Sequence, residues 1–230
     1  VRLTIYVRVK KTMISSGKNM ENRLYTARKE ENISRVVTHA LICFVDKGID
    51  AAKVSDIAKM AGLTERSVFR YFESKSDLVL ETALLFWRKV MEQATLVCRD
   101  RQAGKLGADR IYAVLLAYAE ILFTSRQELV FVHEAEAYLK RNGKSSLVKG
   151  KPPAPFKDRK GPLAEAIYMG IEDGSVRADD DIENLYYNTY DSLLGLMQKM
   201  AIDEERDTEE NMRRRVTGFC KILADAYRSK

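Results

Sequence analysis

Two histidines, three cysteines and a crowd of basic and hydroxyl side chains between Lys53 and Lys75 are the groups of this 230-residue chain that invite a chemical use. His39 and His133 fall in different helical stretches, no serine or acid is spaced with either as a nucleophilic set, and no glycine-rich phosphate loop or metal-ligand spacing occurs. That inventory argues against an enzyme and implies no cofactor and no metal. Cys43, Cys98 and Cys220 are odd in number, far apart and never C-x-x-C, which suits a reducing compartment and buried thiols rather than disulfides or zinc. Between Lys53 and Lys75 the pattern is different. Lys53, Arg66, Arg70 and Lys75 are interleaved with the hydroxyls of Ser55, Thr64, Ser67 and Tyr71 and with Glu65. Groups of this kind bind phosphates and polar edges through charge-assisted hydrogen bonds.

The charge balance points the same way. Through Leu80 the chain holds 15 Lys and Arg against 9 Asp and Glu, and beyond it 24 of each, so the whole net charge of +6 sits in the first third. A basic head on a neutral body is the footprint of a nucleic-acid-binding module, a solvated basic surface being the alternative. No run approaches the roughly 20 apolar residues that span a bilayer. The longest, Ile111 to Phe123, is interrupted by Glu120, and Arg2, Arg8, Lys10 and Lys11 break up any apolar signal core. The expectation is a cytoplasmic protein with no membrane partner. The chain opens on valine, with Met13 and Met20 as alternative starts, and residues 1–24 form a basic extension, with or without fixed structure.

These groups must be positioned by helices. All four prolines lie between Pro152 and Pro162, and no long alternation of β-branched residues marks a sheet. Over 27–47, Ile33, Val36, Val37, Ala40, Leu41, Phe44 and Val45 recur at helical spacing, with Gly48 where a C-cap glycine belongs. A short helix over 54–61, a turn at Gly62 and a third helix over 65–71, N-capped by Thr64, complete a helix-turn-helix-sized unit. Ser74-Lys75-Ser76-Asp77 resembles a capping box and opens a helix to about Cys98. Helices over 108–124 and 126–141 follow, then an exposed loop over 142–161, and Pro162 and Gly174 bracket another helix. The last two helices, over 181–202 and 204–228, carry Ile182, Tyr186, Thr189, Leu193, Leu196 and Met200, and Met212, Val216, Phe219, Leu223 and Ala226, at alternating steps of 3 and 4. A second apolar row, Leu185, Leu194 and Met197, is an excess that suggests a subunit interface, an internal core face being the alternative.

The run I-A-x-x-A-G-L-T at Ile57 to Thr64, F-R-Y-F at Phe69 to Phe72 and S-K-x-D-L at Ser74 to Leu78 resembles the signature of the TetR (tetracycline-repressor-like) family of transcription regulators. G-I-x-x-G-S-V-R at Gly170 to Arg177 resembles the same family's entry to its penultimate helix. The resemblance implies an all-α fold: an N-terminal three-helix helix-turn-helix DNA-binding domain over 25–75, then a C-terminal helical ligand-binding and dimerisation bundle over 76–230. It implies a repressor that binds a palindromic double-stranded operator as a homodimer and is released by a small-molecule effector. A helical interaction protein whose basic head binds a protein or membrane surface is the competing reading.

Residue roles follow from that implied fold. Ala58, Ala61 and Gly62 are small enough for close helix crossing, and Ile57, Leu63, Val68 and Phe72 fill the head's core. The third helix enters the major groove by its N-terminal end, so Glu65, Arg66 and Ser67 meet base edges, Arg66 reading a guanine or else touching a phosphate. Tyr71 and Lys75 match family positions that touch DNA, Ser55, Thr64 and Arg70 add backbone contacts, and Lys75 binds a phosphate. Two departures remove a hydroxyl each, Phe69 for a common tyrosine and Lys53-Val54 for a threonine, with Lys53 offering compensation. For the effector, Trp87, Tyr112, Tyr118, Phe131, His133, Glu134 and Tyr138 are candidates, each equally readable as packing. Glu120 and Glu134 in apolar helices would suit a cationic or hydrogen-bonding ligand. The dimer interface is expected to use Ile182, Tyr186, Leu193, Leu196, Met197, Met200, Val216, Phe219 and Leu223.

Overall fold

The computed structural model describes residues 2–100, 106–144, 153–203 and 207–229, with side chains from Tyr25 onward. Among the described residues there is no strand, only an antiparallel bridge between Val176 and Arg228, and no helix is long and apolar enough to cross a membrane. The all-helical expectation holds.

The head is built from α1 (Arg2–Lys47), α2 (Val54–Met60) and α3 (Glu65–Phe69). α1 begins well before the expected residue 27 and runs through most of the basic extension. Val36, Val37, Ala40 and Phe44 of its apolar stripe are buried where α1 packs on α2, which buries Ile57 and Ala58, and α2 in turn packs on α3, which buries Val68. Between α2 and α3 the Leu63 N–H donates to the Ala58 carbonyl at 2.9 Å, and Gly62 takes φ +67°. Nothing lies within 4 Å of the place a Cβ would occupy on Gly62. Glycine is needed there for left-handed backbone, not for the close crossing its small size suggested, and that role stays with the buried Ala58 and Ala61.

The capping box does what its sequence implies. At the start of α4 (Lys75–Arg99) the Asp77 N–H donates to Ser74 Oγ at 3.2 Å, while the Ser74 hydroxyl donates to Asp77 Oδ2 at 2.7 Å. α4 then leaves the head and enters the body, where it packs on α5 (Gly107–Ala119), α7 (Arg126–Arg141) and α8 (Pro162–Glu172). α5 is the body's axis: α4, α8 and α10 (Glu209–Asp225) surround it and bury Ala108, Ile111, Val114 and Leu115 completely. The helix expected to reach residue 124 is instead interrupted at Glu120, and α6 (Ile121–Thr124) follows. The Glu120 carboxylate accepts two hydrogen bonds from the Arg213 guanidinium of α10, at 2.9 and 3.2 Å.

The stretch expected as an exposed loop ends differently. A 3-10 turn at Phe156–Asp158 buries Phe156, which stacks on Tyr168 of α8 at 4.9 Å and meets Tyr186 of α9 (Ile182–Ile202) at 5.1 Å. One aromatic ring thus outweighs its proline- and glycine-rich surroundings; residues 145–152 lie outside the described ones. The Gly170 to Arg177 motif also gains a physical job. α5 has no side-chain cap of its own at Leu106. Instead its first N–H groups are capped from across the body, Gly107 donating to Asp173 Oδ2 at 2.7 Å and Ala108 to Ser175 Oγ at 3.1 Å. Beyond that point Arg177 N–H donates to the Tyr227 carbonyl and Ser229 N–H to the Ser175 carbonyl, each at 3.0 Å, tying the end of the chain to the same loop.

This capping requires α5 and α8 to touch backbone to backbone. A Cβ on Gly107 would stand 2.0 Å from the Gly170 backbone nitrogen, so no rotamer change relieves the overlap. Gly107→Ala is expected to cost at least about 1–3 kcal/mol, as overpacking does. For a chain of this size that lowers Tm by at least roughly 2–12 °C, read by circular-dichroism melting.

Candidate nucleic-acid interface and internal cavity

The head places its predicted contact residues around α3 and the starts of α2 and α4. Thr64, Glu65 and Arg66 are exposed on the first turn of α3, and the Arg66 side chain has no hydrogen-bond partner among the described residues, so its guanidinium is free to bind. Thr64 and Ser67 are less free: their hydroxyls lie 2.9 Å apart and Ser67 N–H donates to Thr64 Oγ1 at 3.2 Å, closing the N-cap. Lys53 and Ser55 are exposed, and Lys53 stands at the N-cap of α2 without a side-chain hydrogen bond, as the missing threonine implies. Phe69, noted in sequence only as a lost hydroxyl, is 44% exposed and offers an apolar face of the kind that meets a thymine methyl.

Three residues the sequence reading did not single out hold the predicted ones in place. The Asn32 amide of α1 donates to the Tyr71 hydroxyl at 3.1 Å, and the Arg70 guanidinium lies 5.5 Å from the Tyr71 ring centroid. A hydrogen bond from Arg70, then the one from Asn32, draws the Tyr71 phenol below its ordinary pKa. Lys75 Nζ donates to the Asp50 carbonyl at 3.1 Å, and partial burial draws its ammonium below the usual lysine range. An ammonium has three donors, so two remain for a phosphate. Lys144, just past α7, pairs with Asp77 Oδ1 at 2.7 Å. Asn32, Asp50 and Lys144 are distant in sequence from their partners, and no local spacing signals such pairs.

Head and body are joined at a second point, where Phe44 of α1 stacks on Phe131 of α7 at 5.6 Å with rings 8° from parallel. Phe131, an expected ligand contact, is therefore part of the head–body contact. Inside the body lies a cavity of about 230 Å³, lined by residues of α4 to α9, and two of the effector candidates, Trp87 and Tyr118, stand on its wall. The other five candidates lie away from it: besides Phe131, His133 and Glu134 are exposed on α7, and Tyr112 and Tyr138 are half-buried elsewhere. Glu120 and Glu134 do not line it either, which removes the reason for a cationic ligand drawn from them.

The cavity wall is completed by residues expected elsewhere. Leu193 and Met197, assigned to a subunit interface, line it together with Leu115, Leu129 and Leu163. Tyr118 and Tyr190 place their hydroxyls 2.8 Å apart on the wall, and burial pushes both phenols well above their ordinary range. Trp87 Nε1 is buried with no acceptor among the described residues. Of the remaining interface candidates, Ile182, Tyr186, Met200 and Val216 are buried within one chain, Tyr186 donating to the Ala154 carbonyl at 3.0 Å. Leu196, Phe219 and Leu223 are half-buried, while Ile222 of α10 is 66% exposed. Cys43, Cys98 and Cys220 are buried and free, and burial pushes the last two thiols up to about 11 and about 12, which keeps them protonated.

Residues 36–82 match the family model of bacterial regulatory proteins, tetR family. An uncharacterised HTH-type transcriptional regulator of Mycobacterium tuberculosis is 28% identical over 88 residues, 38% of this chain, and the match spans only 43% of that relative's length. The HTH-type transcriptional repressor KstR2 of Mycolicibacterium smegmatis is 24% identical over 162 residues, covering 70% of this chain and 73% of the repressor. Among solved structures, a TetR-family transcriptional regulator of Mesorhizobium loti aligns over 88% of this chain and 99% of its own with a TM-score of 0.66 at 16% identity. Bacillus subtilis FadR, in complex with stearoyl-CoA, aligns over 83% of this chain and 97% of its own, with a TM-score of 0.61 at 13% identity. Identities this low establish the shared fold.

The burial of Leu193 makes a direct expectation. A carboxylate there enters an apolar wall and not a subunit seam, so Leu193→Glu destabilises the fold of the chain itself. Its Tm falls by the same amount at every protein concentration, whereas loss of a purely interfacial contact gives a Tm that recovers as concentration rises.

Proposed function

We propose that this chain, which belongs to the TetR family of bacterial regulatory proteins, is a repressor that binds a palindromic DNA operator as a homodimer and releases it when a small molecule fills the body cavity. The single observation that carries the reading is the free Arg66 guanidinium on the exposed first turn of α3, held on a rigid head whose following helix, α4, also supplies the cavity wall through Trp87. Arg66 is placed to read a guanine through its two major-groove acceptors. Lys53, Ser55, Arg70, Tyr71 and Lys75 surround it as phosphate contacts, which give affinity without sequence choice. Glu65 and Ser67 are further base-edge candidates. The repressor assignment is favoured by KstR2, a repressor similar over most of its length, and a cytoplasmic location accords with that role.

A dimer brings two recognition helices to successive major grooves about 34–36 Å apart, or a multiple of that. We assign its interface to the outer faces of α9 and α10, where the half-buried Leu196, Phe219 and Leu223 and the exposed Ile222 lie. Gly195 and Gly218 have nothing within 4 Å of their absent Cβ atoms, which leaves room for a partner's helices to approach. A ligand wedged beside Trp87 acts on α4 directly, and α4 is tied to the head by its Ser74 cap and to α7 by the Asp77–Lys144 pair. It shifts the head only to the extent that it prefers the DNA-free arrangement; a coupling of about 1–3 kcal/mol weakens operator binding roughly 5- to 150-fold.

The test starts with sites selected from random DNA, which reveal any operator and its half-site spacing. On the selected site, Arg66→Ala is expected to lose about 1–3 kcal/mol and to relax one base position, whereas Lys75→Ala weakens all sequences and flattens the salt dependence. If both variants weaken specific and random DNA alike, Arg66 is no base reader. If no sequence is preferred at any salt, the head binds something other than an operator. The dimer is tested separately by Ile222→Glu, which should give a monomer in light scattering at micromolar concentration and, unlike Leu193→Glu, a Tm deficit that shrinks as protein concentration rises.

A further inference from the structure

The reading above gives Tyr71 a phosphate contact, and the inference here deepens that reading and rests on it. Two residues of α1 that no motif marks decide which way the Tyr71 hydroxyl can act. The Arg35 guanidinium donates to Asn32 Oδ1, and Asn32 Nδ2 donates to the Tyr71 hydroxyl oxygen at 3.1 Å. An arginine can only donate, so it takes the amide oxygen and leaves the amide NH2 for the phenol. Chemistry thus fixes the orientation of Asn32 at both ends.

The charges around this pair are of one sign. Arg28, Lys29 and Arg35 lie three or four positions from Asn32 and share its face of α1, while Glu30 and Glu31, two and one positions away, do not. The Arg70 guanidinium lies 5.5 Å from the Tyr71 ring centroid. Hydrogen bonds to the phenol from Arg70 and Asn32, and the nearby charge of Lys29, draw its pKa down. With N–H groups directed at its oxygen, what the phenol has left to offer is its own O–H. The donors of Arg35, Asn32 and Tyr71 then run in one direction, away from the guanidinium, and hydrogen bonds in such a chain polarise one another. The acceptor that suits the end of a cationic donor chain is an anion. Tyr71 follows the last residue of α3 by two positions, so the anion that comes within reach when α3 enters a major groove is a DNA phosphate. We infer that Asn32, oriented by Arg35, is a positioning residue that commits the Tyr71 hydroxyl to donate its hydrogen bond to a phosphate beside the recognition helix.

Asparagine and aspartate share one shape, so Asn32→Asp puts an acceptor where a donor stood and turns the phenol's O–H inward. Binding is measured with the full chain on random duplex and on the selected operator. On both, Tyr71→Phe should weaken binding about 3- to 10-fold per head, the span one net hydrogen bond provides. Asn32→Asp should weaken it at least as much and Asn32→Ala by about 2- to 5-fold per head, the preference for operator over random DNA staying unchanged because a phosphate contact reads no base. In a Tyr71→Phe background Asn32→Ala should cost nothing further and Asn32→Asp only the effect of its charge, while Arg35→Ala should cost less once residue 32 is alanine. These half-buried or exposed changes should leave Tm within roughly 2 °C, which separates positioning from folding. The phenol itself is read by NMR of protein labelled at tyrosine Cζ, where the signal lost in Tyr71→Phe belongs to Tyr71. Its titration midpoint should rise in Asn32→Ala and rise further in Asn32→Asp, since a donor to the phenolate is removed and then replaced by a carboxylate. A midpoint that ignores both changes, an Asn32→Ala loss that persists in Tyr71→Phe, or an Asn32→Asp chain that binds DNA like the wild type would each overturn the inference. The operator reading fails separately. A protein that shows these losses on random duplex but prefers no sequence has no operator and keeps the phosphate contact, and one that prefers an operator without showing them does the reverse.

Discussion

Asp77 is the residue on which the two halves of the molecule depend. One of its carboxylate oxygens takes the Ser74 hydroxyl that caps α4, and the other takes the Lys144 ammonium at the far end of α7. The first contact fixes the direction in which α4 leaves the head, and the second fixes α4 against the body. Because α4 also carries Trp87 into the cavity wall, the surface proposed to face DNA and the cavity proposed to hold a ligand are separated by one continuous helix. A helix transmits a tilt along its length because its packed core neighbours resist bending. The Phe44–Phe131 stack is the second support between head and body.

The body shows the same economy of anchoring. α5 is buried on nearly every side, and a helix in that position cannot rely on water to satisfy its first N–H groups. Asp173 and Ser175 supply the acceptors, and hydrogen bonds from Ser175 and Gly107 hold the Asp173 carboxyl below the usual carboxylate range. That arrangement explains both glycines: Gly107 leaves room for the Gly170 backbone, and Gly170 leaves room for the Val176 side chain of the loop, whose Cγ2 would stand 2.3 Å from a Cβ there. It also gives the Gly170 to Arg177 motif a structural meaning, as a clip that caps α5 on one side and receives the chain's last residues on the other.

Local patterns in the sequence were legible and long-range ones were not. Thr64 and Ser74 as caps, Gly48 and Gly62 as turn residues and Pro162 at a helix start all depend on neighbours within four positions, and all are found as expected. The exposed contact surface of α3 follows from the same local logic. The seam of α9 is where this reasoning reaches its limit. Steps of 3 and 4 mark an apolar face but are silent on what covers it, and Leu193 and Met197 turned out to face a cavity within the chain. Helix α7 is the converse. His133 and Glu134 drew notice as polar groups among apolar ones, yet they sit on its solvent side, where polarity needs no ligand to explain it. Phe156 escaped because composition was averaged over a window and one ring decided the packing.

These contacts also constrain how the protein can be switched. The Lys144 and Ser74 hydrogen bonds hold the Asp77 carboxyl below its ordinary range, so the clamp's contribution to stability is present above the unfolded carboxylate pKa of about 3.9 and is lost only as pH falls below it. Tyr118 and Tyr190 are displaced the other way, upward, and stay neutral until well above physiological pH. The head–body clamp and the polar part of the cavity wall therefore keep one charge state across the neutral range. A proton is a poor signal for such a structure. On the proposed reading, what changes its balance is occupancy of the cavity, whose wall α4 supplies through Trp87 on its way from the head. On the same reading the link from ligand to DNA runs through packing on α4, and its strength is set by how differently two positions of α4 would treat the occupant.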